Sequence, residues 1–357
     1  MTNGKALADI VTPLLTWFEE NARDLPWRKN VTPYQVWVSE IMLQQTRVEA
    51  VKTYYIRFMK RLPTVEALAE ISEDELLKLW EGLGYYNRVR NMQKAACVIT
   101  EEYGGKFPDQ YEQLLSLPGI GSYTAGAIGS IAYNLPEPAV DGNVLRVLAR
   151  IRGDYEDIAE PTVKKRVETE LRALLQDIPV AGAFNQALME LGATVCVPNG
   201  APKCEICPIQ QSKTCRCIAF DQSSQSELPV KSPKKQRRID EKTVILIMDD
   251  RRAIIRKRPS TGLLAGLYEF PNAEGYLSER EVQDYVENMG FFSIRIEKLP
   301  EVTHIFTHRE WRMRAYAVQI AEPERINQQN LFVDRTQIEE TYPLPTAFSK
   351  FTSYVKK

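Results

Sequence analysis

Two acidic residues sit in settings suited to opposite halves of one reaction. Glu40, in "VWVSEIMLQQTRV", has Val36 at i−4 and Leu43 and Gln44 at i+3 and i+4. On a helix this puts a carboxyl on a largely apolar stripe, where desolvation raises its pKa and favours the protonated acid. Asp141, in "PEPAVDGNVLRVLARI", stands just ahead of an apolar-periodic helix. Free N–H groups at a helix start stabilise negative charge, so this carboxylate is expected to stay ionised. One protonated and one charged carboxyl is the pairing that cleaves an acetal-like bond. The acid protonates the leaving group and the anion supports an oxocarbenium-like sugar. Each residue taken alone also fits a plainer role, Glu40 as a surface partner of Arg47 and Asp141 as an ordinary N-cap.

Five of the six cysteines fall within "CVPNGAPKCEICPIQQSKTCRC", Cys196 to Cys217. In a chain whose thiols stay reduced, so tight a cluster suits metal better than disulfides. Four thiolates fit zinc or a 4Fe–4S cluster, and spacing does not choose between them. Cys97, far upstream on a helix, reads as a buried small residue. "LPGIGSYTAGAIG", Leu117 to Gly129, is a Pro-Gly-x-Gly turn opening a helix rich in Gly and Ala. Gly119 and Gly121 let the backbone approach a partner, and the helix start at Ser122 offers N–H groups to an anion. This is either a helix-hairpin-helix that grips a DNA phosphate without reading sequence, or a steric turn between helices.

The elements that must hold these residues fall into two kinds. From residue 6 to about 195 the chain reads as helix after helix, with apolar spacing in "PYQVWVSEIMLQQTRVEAVKTYYIRFMKRL", "SEDELLKLWEGLG", "VKKRVETELRALLQ" and "AGAFNQALMELGATVC". Ser72 and Glu75 form a candidate capping box. Residues 218–240 are polar and rich in Ser, Pro and Lys, as linkers are. Beyond them "TVILIMDD", "RRAIIRKRP", "FFSIRIEKL" and "EWRMRAYAVQI" read as strands, with "SEREVQDYVENMG" a helix between. We therefore expect an all-α domain over 1–220, a basic linker over 221–240 and a smaller α+β domain over 241–357. The 357 residues carry a net charge of −1. Positive charge is nevertheless clustered, at Lys231, Lys234, Lys235, Arg237 and Arg238 and again at Arg251, Arg252, Arg256, Lys257 and Arg258. No apolar run approaches a membrane span and the N-terminus lacks a secretory pattern, so no membrane partner is expected.

At these residues the chain resembles the adenine DNA glycosylases of the MutY family, within the endonuclease III superfamily. The resemblance rests on "LPWRKNVTPYQVWVSEIMLQQTRV", "WEGLGYYNRVRN", "LPGIGSYTAGAIGSIAYNLPEPAVDGNVLRVLAR", "GAFNQALMELGATVC" and "STGLLAGLYEFP". It implies a multidomain protein: a bilobal all-α helix-hairpin-helix glycosylase domain with an iron–sulfur cluster, followed by an α+β Nudix-like domain. It implies excision of adenine mispaired with 8-oxoguanine or G in double-stranded DNA, by a monomer in a bacterial cytoplasm, associated with the nucleoid. Glu40 falls on the acid that protonates adenine N7, Asp141 on the aspartate that stabilises the sugar cation, and Asn143 on an asparagine beside it. Arg28, Trp27, Leu43 and Gln186 would line the adenine pocket. Gln45, Thr46, Leu83 and Tyr85 would lie against DNA, Gln45 and Tyr85 as wedges beside 8-oxoguanine. Gly119, Gly121 and Ser122 would form the phosphate grip.

Tyr123 stands where bifunctional relatives carry lysine. An amine there could form a Schiff base with the sugar and cut the strand, whereas a phenol cannot, so a monofunctional enzyme is expected. Gln186 departs from the glutamate usual in the family, keeping hydrogen bonds but not charge. In the C-terminal domain the resemblance places Phe306, Thr307 and His308 on a loop that senses 8-oxoguanine. Asp284 and Glu287 are the only remnants of the Glu-rich Mg²⁺ helix, so nucleotide hydrolysis is not expected. The resemblance chooses iron–sulfur for the cysteines, with Cys196, Cys204, Cys207 and Cys217 as ligands and Cys215 as the alternative fourth. "CIAF" after Cys217 favours that residue, and the shorter loop favours Cys215.

Overall fold

A computed structural model describes residues 7–233, 236–321 and 330–356. Lys234 and Lys235 of the basic run lie outside the described residues. The chain forms two compact units, one of residues 1–70 and 91–233, the other of 71–90 and 234–357. The segment Ile71–Arg90, which the sequence places among the helices of the first domain, thus groups with the C-terminal chain.

The helices run α1 (Val11–Asn21), α2 (Pro33–Leu43), α3 (Val48–Arg61), α4 (Val65–Glu70), α5 (Glu73–Leu79), α6 (Asn87–Tyr103), α7 (Tyr111–Ser116), α8 (Ser122–Tyr133), α9 (Gly142–Arg152), α10 (Pro161–Leu175), α11 (Ala181–Thr194), α12 (Pro208–Gln211) and α13 (Ile218–Asp221). The apolar periodicity that runs from Pro33 through Leu62 is broken into α2 and α3 by Gln45, whose φ of 59° leaves the helical region. α2 starts on Thr32, whose hydroxyl accepts from Gln35 N at 3.2 Å, with Pro33 at the first helical position. From Val36 to Met42 every residue is buried, so α2 is a central helix and not an amphipathic surface one. α8 packs on α2 and on α11. Small residues allow this approach: a Cβ on Gly126 would lie 2.0 Å from Pro138 O, and one on Gly182 2.4 Å from Ser130 O. Leu14, Val144, Leu148, Leu171, Phe184 and Leu188 make the core beneath α9, α10 and α11. The stretch read as linker is not free chain. Leu228 is buried, Ile158 N donates to Val230 O, Arg150 Nε donates to Leu228 O, and from Arg238 the backbone is strand.

In the second unit, the described residues form one mixed sheet of seven strands: β1 (Arg238–Met248), β2 (Ala253–Lys257), β3 (Tyr268–Glu269), β4 (Asn272–Glu274), β5 (Ser293–Ile305), β6 (Arg309–Ile320) and β7 (Asn330–Val333). The main path is β3-β2-β1-β6-β5, with β1 and β6 parallel in register Val244↔Ala315. Both faces of β1 are buried. Val244 and Leu246 meet Trp311, Met313 and Phe348, while Ile245 and Ile247 meet Val282 and Val286 of α14 (Glu279–Asn288). That is why "TVILIM" reads as a continuous apolar run. A last helix, α15 (Arg335–Glu340), supplies Ile338 to the first of these faces.

Candidate active site and cysteine cluster

Glu40 points from α2 into a cavity of about 660 Å³, a size usual for small-molecule sites. Asp141 and Asn143 reach the same cavity from the start of α9, Tyr123 from α8, and Gln186, Met189 and Glu190 from α11. Trp27, Arg28, Leu43, Gln45 and Thr46 also line it. The structure therefore brings together, from five separate stretches, the residues singled out in the helical domain for acid, anion and pocket.

Glu40 is 7% exposed, which removes the plain reading as a surface partner of Arg47. Burial lifts its carboxyl to about 7. A hydrogen bond from the Tyr123 hydroxyl opposes that rise, the nearby Asp141 charge adds to it, and the Arg28 guanidinium works against it. The Tyr123 hydroxyl also lies 3.3 Å from Met189 Sδ, and burial raises its own pKa. Asp141 caps α9: its Oδ1 accepts from Asn143 N and Val144 N at 2.8 Å, and its Oδ2 accepts from Asn143 Nδ2 at 2.6 Å. The hydrogen bonds expected of a helix start are present, but they do not set the direction of its pKa shift. Burial pushes the Asp141 carboxyl up, and the three hydrogen bonds with the Arg146 charge offset only part of that rise. The periodic sequence shows the cap but not how far the cap is buried.

Glu190 was not singled out from the sequence. Its carboxylate is 1% exposed and takes Arg23 Nε at 2.6 Å, Arg23 Nη2 at 2.9 Å and Arg28 Nη2 at 2.8 Å. Despite burial, these two guanidiniums hold its pKa down at about 2. The available signal was its place on the face of α11 that carries Gln186, one turn on. Gln186 donates to Gly182 O of its own helix at 3.3 Å.

The turn Leu117–Gly121 joins α7 to α8 as a helix-hairpin-helix. Gly119 has φ 75°, and a Cβ there would meet Asn91 Cβ at 2.6 Å, so both backbone and space require glycine. Gly121 caps α8 without a side-chain hydrogen bond. Ser122 donates to Glu168 at 2.8 Å and accepts from Lys164 at 3.3 Å. Gln45 is exposed, as is Tyr85, which also has positive φ at 48°, whereas Leu83 is buried. Such backbone in non-glycine residues is uncommon and clusters at functional sites.

In the second unit, Phe306–His308 forms the turn between β5 and β6. Phe306 packs edge-on between His304 and Trp311, while Thr307 and His308 are exposed. The Thr307 hydroxyl lies 2.7 Å from the Tyr85 hydroxyl, so two residues drawn from distant stretches meet.

Cys196, Cys204, Cys207 and Cys217 line one small apolar hollow with Val147, Ile151 and Phe220. Burial pushes the Cys207 and Cys217 thiols up to about 11 and raises that of Cys204, and the neighbouring Cys196 adds to the rise at all three. Cys215 is buried instead in the helical core, its thiol facing Ile209 O at 3.6 Å. Among the described residues, no three His, Cys, Asp or Glu side chains converge on a single metal ion.

Residues 38–176 match the HhH-GPD superfamily base excision DNA repair proteins, and residues 243–354 the NUDIX domain. The chain is 36% identical over 361 residues to adenine DNA glycosylase of Rattus norvegicus, across 85% of this chain and 69% of that one. It is 37% identical over 287 residues to adenine DNA glycosylase of Buchnera aphidicola (Acyrthosiphon pisum), across 77% of this chain and 79% of that one. Among solved structures, a thermostable thymine-DNA glycosylase aligns with TM-score 0.54 and 28% identity, covering 62% of this chain and 99% of its own. An endonuclease III–DNA complex shares the fold at TM-score 0.51 and 22% identity, with the same coverage of each chain. Fold and site together define a DNA glycosylase of base excision repair, with DNA as its partner. The chain belongs to the adenine DNA glycosylase family.

Proposed function

We propose that this protein is a monofunctional glycosylase that excises adenine mispaired with 8-oxoguanine or G in duplex DNA. The observation that carries the proposal is the meeting of Glu40, lifted to about 7, with Asp141 in one cavity. Adenine turned out of the helix enters the cavity, with Trp27, Arg28, Leu43 and Gln186 as its walls. Glu40 delivers a proton to the base at N7, and the glycosidic electron pair leaves with the base. The sugar cation is held by the Asp141 carboxylate, which Asn143 orients, until water adds at C1′. Gln45 and Tyr85 fill the gap in the duplex, and Tyr85 with Phe306, Thr307 and His308 reads the opposite 8-oxoguanine. The helix-hairpin-helix grips the strand through the Gly119–Ser122 backbone. The setting proposed is a monomer acting on nucleoid DNA in the bacterial cytoplasm.

Cys196, Cys204, Cys207 and Cys217 would hold a 4Fe–4S cluster. Four thiols around one hollow suit a polynuclear centre, and Cys215 in the core is the sulfur left over. When bound, the cluster supplies a brace for the loop that follows α11, and no step of the reaction passes through it.

A second reading, strand cleavage as a lyase, draws on Lys164, an amine that lines the cavity. Its ammonium is 3.3 Å from Ser122 Oγ and 3.5 Å from Glu168, so attack on the sugar would first have to break both contacts. The deciding experiment is a single-turnover assay on an 8-oxoguanine:A duplex, with 8-oxoguanine:C and Asp141→Asn as controls. Adenine release without strand scission, lost in Asp141→Asn, is expected. No release by the unmutated protein would sink the proposal, and scission without alkali or heat would favour the lyase.

A further inference from the structure

We propose that Glu190 is a positioning residue for excision, fixing Arg28 on the cavity wall and setting the charge that Glu40 experiences. The inference rests on the reading of the cavity as the site of adenine excision.

The geometry is a buried fork. One carboxylate, almost without exposure, accepts from Arg23 through Nε, Nη2 and the backbone N, and from Arg28 through Nη2. Arg28 Nη1 donates to Arg23 O at 2.9 Å, and its guanidinium lies 5.2 Å from the centre of the Phe18 ring. Arg28 is therefore held from three sides, and α11 supplies the carboxylate that pairs with it. Arg–carboxylate forks of this kind add geometric specificity as well as attraction. With two guanidiniums and one carboxylate, the cluster presents a net single positive charge to the cavity.

That charge matters because Glu40 is buried in the same cavity. The groups facing it are Tyr123 from α8, Asp141 from the start of α9, and Arg28 from the turn Pro26–Arg28, with Arg23, Glu190 and Lys164 elsewhere on the wall. Neutralising Glu190 leaves two uncompensated guanidiniums. Both then favour the Glu40 carboxylate over the acid, and the proton is given up at lower pH. Neutralising Arg23 leaves a balanced Arg28–Glu190 pair and acts in the opposite sense.

The test is single-turnover adenine release on an 8-oxoguanine:A duplex from pH 5.5 to 9 with Glu190→Gln, Arg23→Gln and the double variant. DNA affinity and melting temperature are measured alongside. Glu190→Gln is expected to move the alkaline limb down by about one unit, a loss of roughly tenfold above the limb. Arg23→Gln is expected to move it up, and the double variant to bring it back towards the original. A lowered rate with an unmoved limb in Glu190→Gln would overturn the inference, because a purely structural role has that signature. Should Glu190→Gln fail to fold, Arg23→Gln decides: a limb that stays or moves down overturns the inference. Absence of release by the unmutated protein would count against the excision reading itself, which keeps the two failures distinct.

Discussion

Tyr123→Phe isolates the one hydrogen bond that restrains the proposed acid. The Tyr123 hydroxyl donates to Glu40 Oε2 and so stabilises the carboxylate, while burial and the Asp141 charge push the other way and leave the group at about 7. A hydrogen bond to a charged acceptor contributes about 1.5–3 kcal/mol. At about 1.4 kcal/mol per unit, its loss lifts Glu40 by about one to two units. The sign follows directly: without the donor the acid form persists to higher pH, so the alkaline limb of the excision rate moves up. With a group at about 7, the protonated fraction at pH 8 is roughly a tenth of that at pH 6; at about 8 it is roughly half. The ratio of single-turnover rates at pH 8 and pH 6 should therefore rise about fivefold in Tyr123→Phe. This ratio cancels any fall in the plateau from loss of a phenol beside the reacting sugar. A ratio that stays at one tenth, or falls, would refute the assignment of Glu40 as the titrating acid restrained by Tyr123.

Glu40→Gln should abolish excision and yet favour the folded state at alkaline pH. Because the folded pKa of Glu40 is raised, its contribution is fully present below the unfolded value of 4.5 and is lost as pH rises through about 7. Denaturant curves at pH 4 and pH 8 should show the variant gaining about 3 kcal/mol on the unmutated protein between the two, and parallel curves would contradict this. Cys217→Ser should lose iron and visible absorption, whereas Cys215→Ser should keep both at a cost of about 1 kcal/mol in stability; the reverse pattern would make Cys215 the ligand. Gly126→Ala should destabilise by about 3 kcal/mol or more in urea unfolding, because the new methyl meets Pro138 O, which α8 cannot avoid. It should also slow excision, since Pro138 leads directly into Asp141, and a change under about 1 kcal/mol would show that the segment yields.

Local rules carried much of this fold into the sequence. Ser72 does accept from Glu75 N, and β1, β2, β5 and β6 lie where short apolar bursts were read. The strands that escaped, β3, β4 and β7, are two to four residues long, too short for any periodicity to register. Gln45 and Tyr85 escaped as backbone features because nothing in a helical apolar pattern signals positive φ in Gln or Tyr. Ile71–Arg90 has a helical sequence wherever it packs, so its grouping with the sheet unit depends on tertiary contacts alone.

The site was legible to the extent that its chemistry is local. Asp141 as a cap follows from position relative to α9, and the glycine at 119 from its turn. What was not legible is the sum of long-range terms. The direction of the Asp141 shift depends on burial by elements far along the chain, and burial outweighs the cap that the sequence displays. Glu190 has the same character. On α11 it is one acidic residue among apolar neighbours, indistinguishable in one dimension from a solvated face. Its role depends on Arg23 and Arg28, which reach it across 167 and 162 residues of sequence. A buried carboxyl group either takes such partners, as Glu190 does, or moves towards its neutral form, as Glu40 does, so an acidic residue on an otherwise apolar helix face implies one or the other. The pattern poses that choice, and the fold makes it by bringing Arg23 and Arg28 to Glu190 and leaving Glu40 without an ion pair among the described residues.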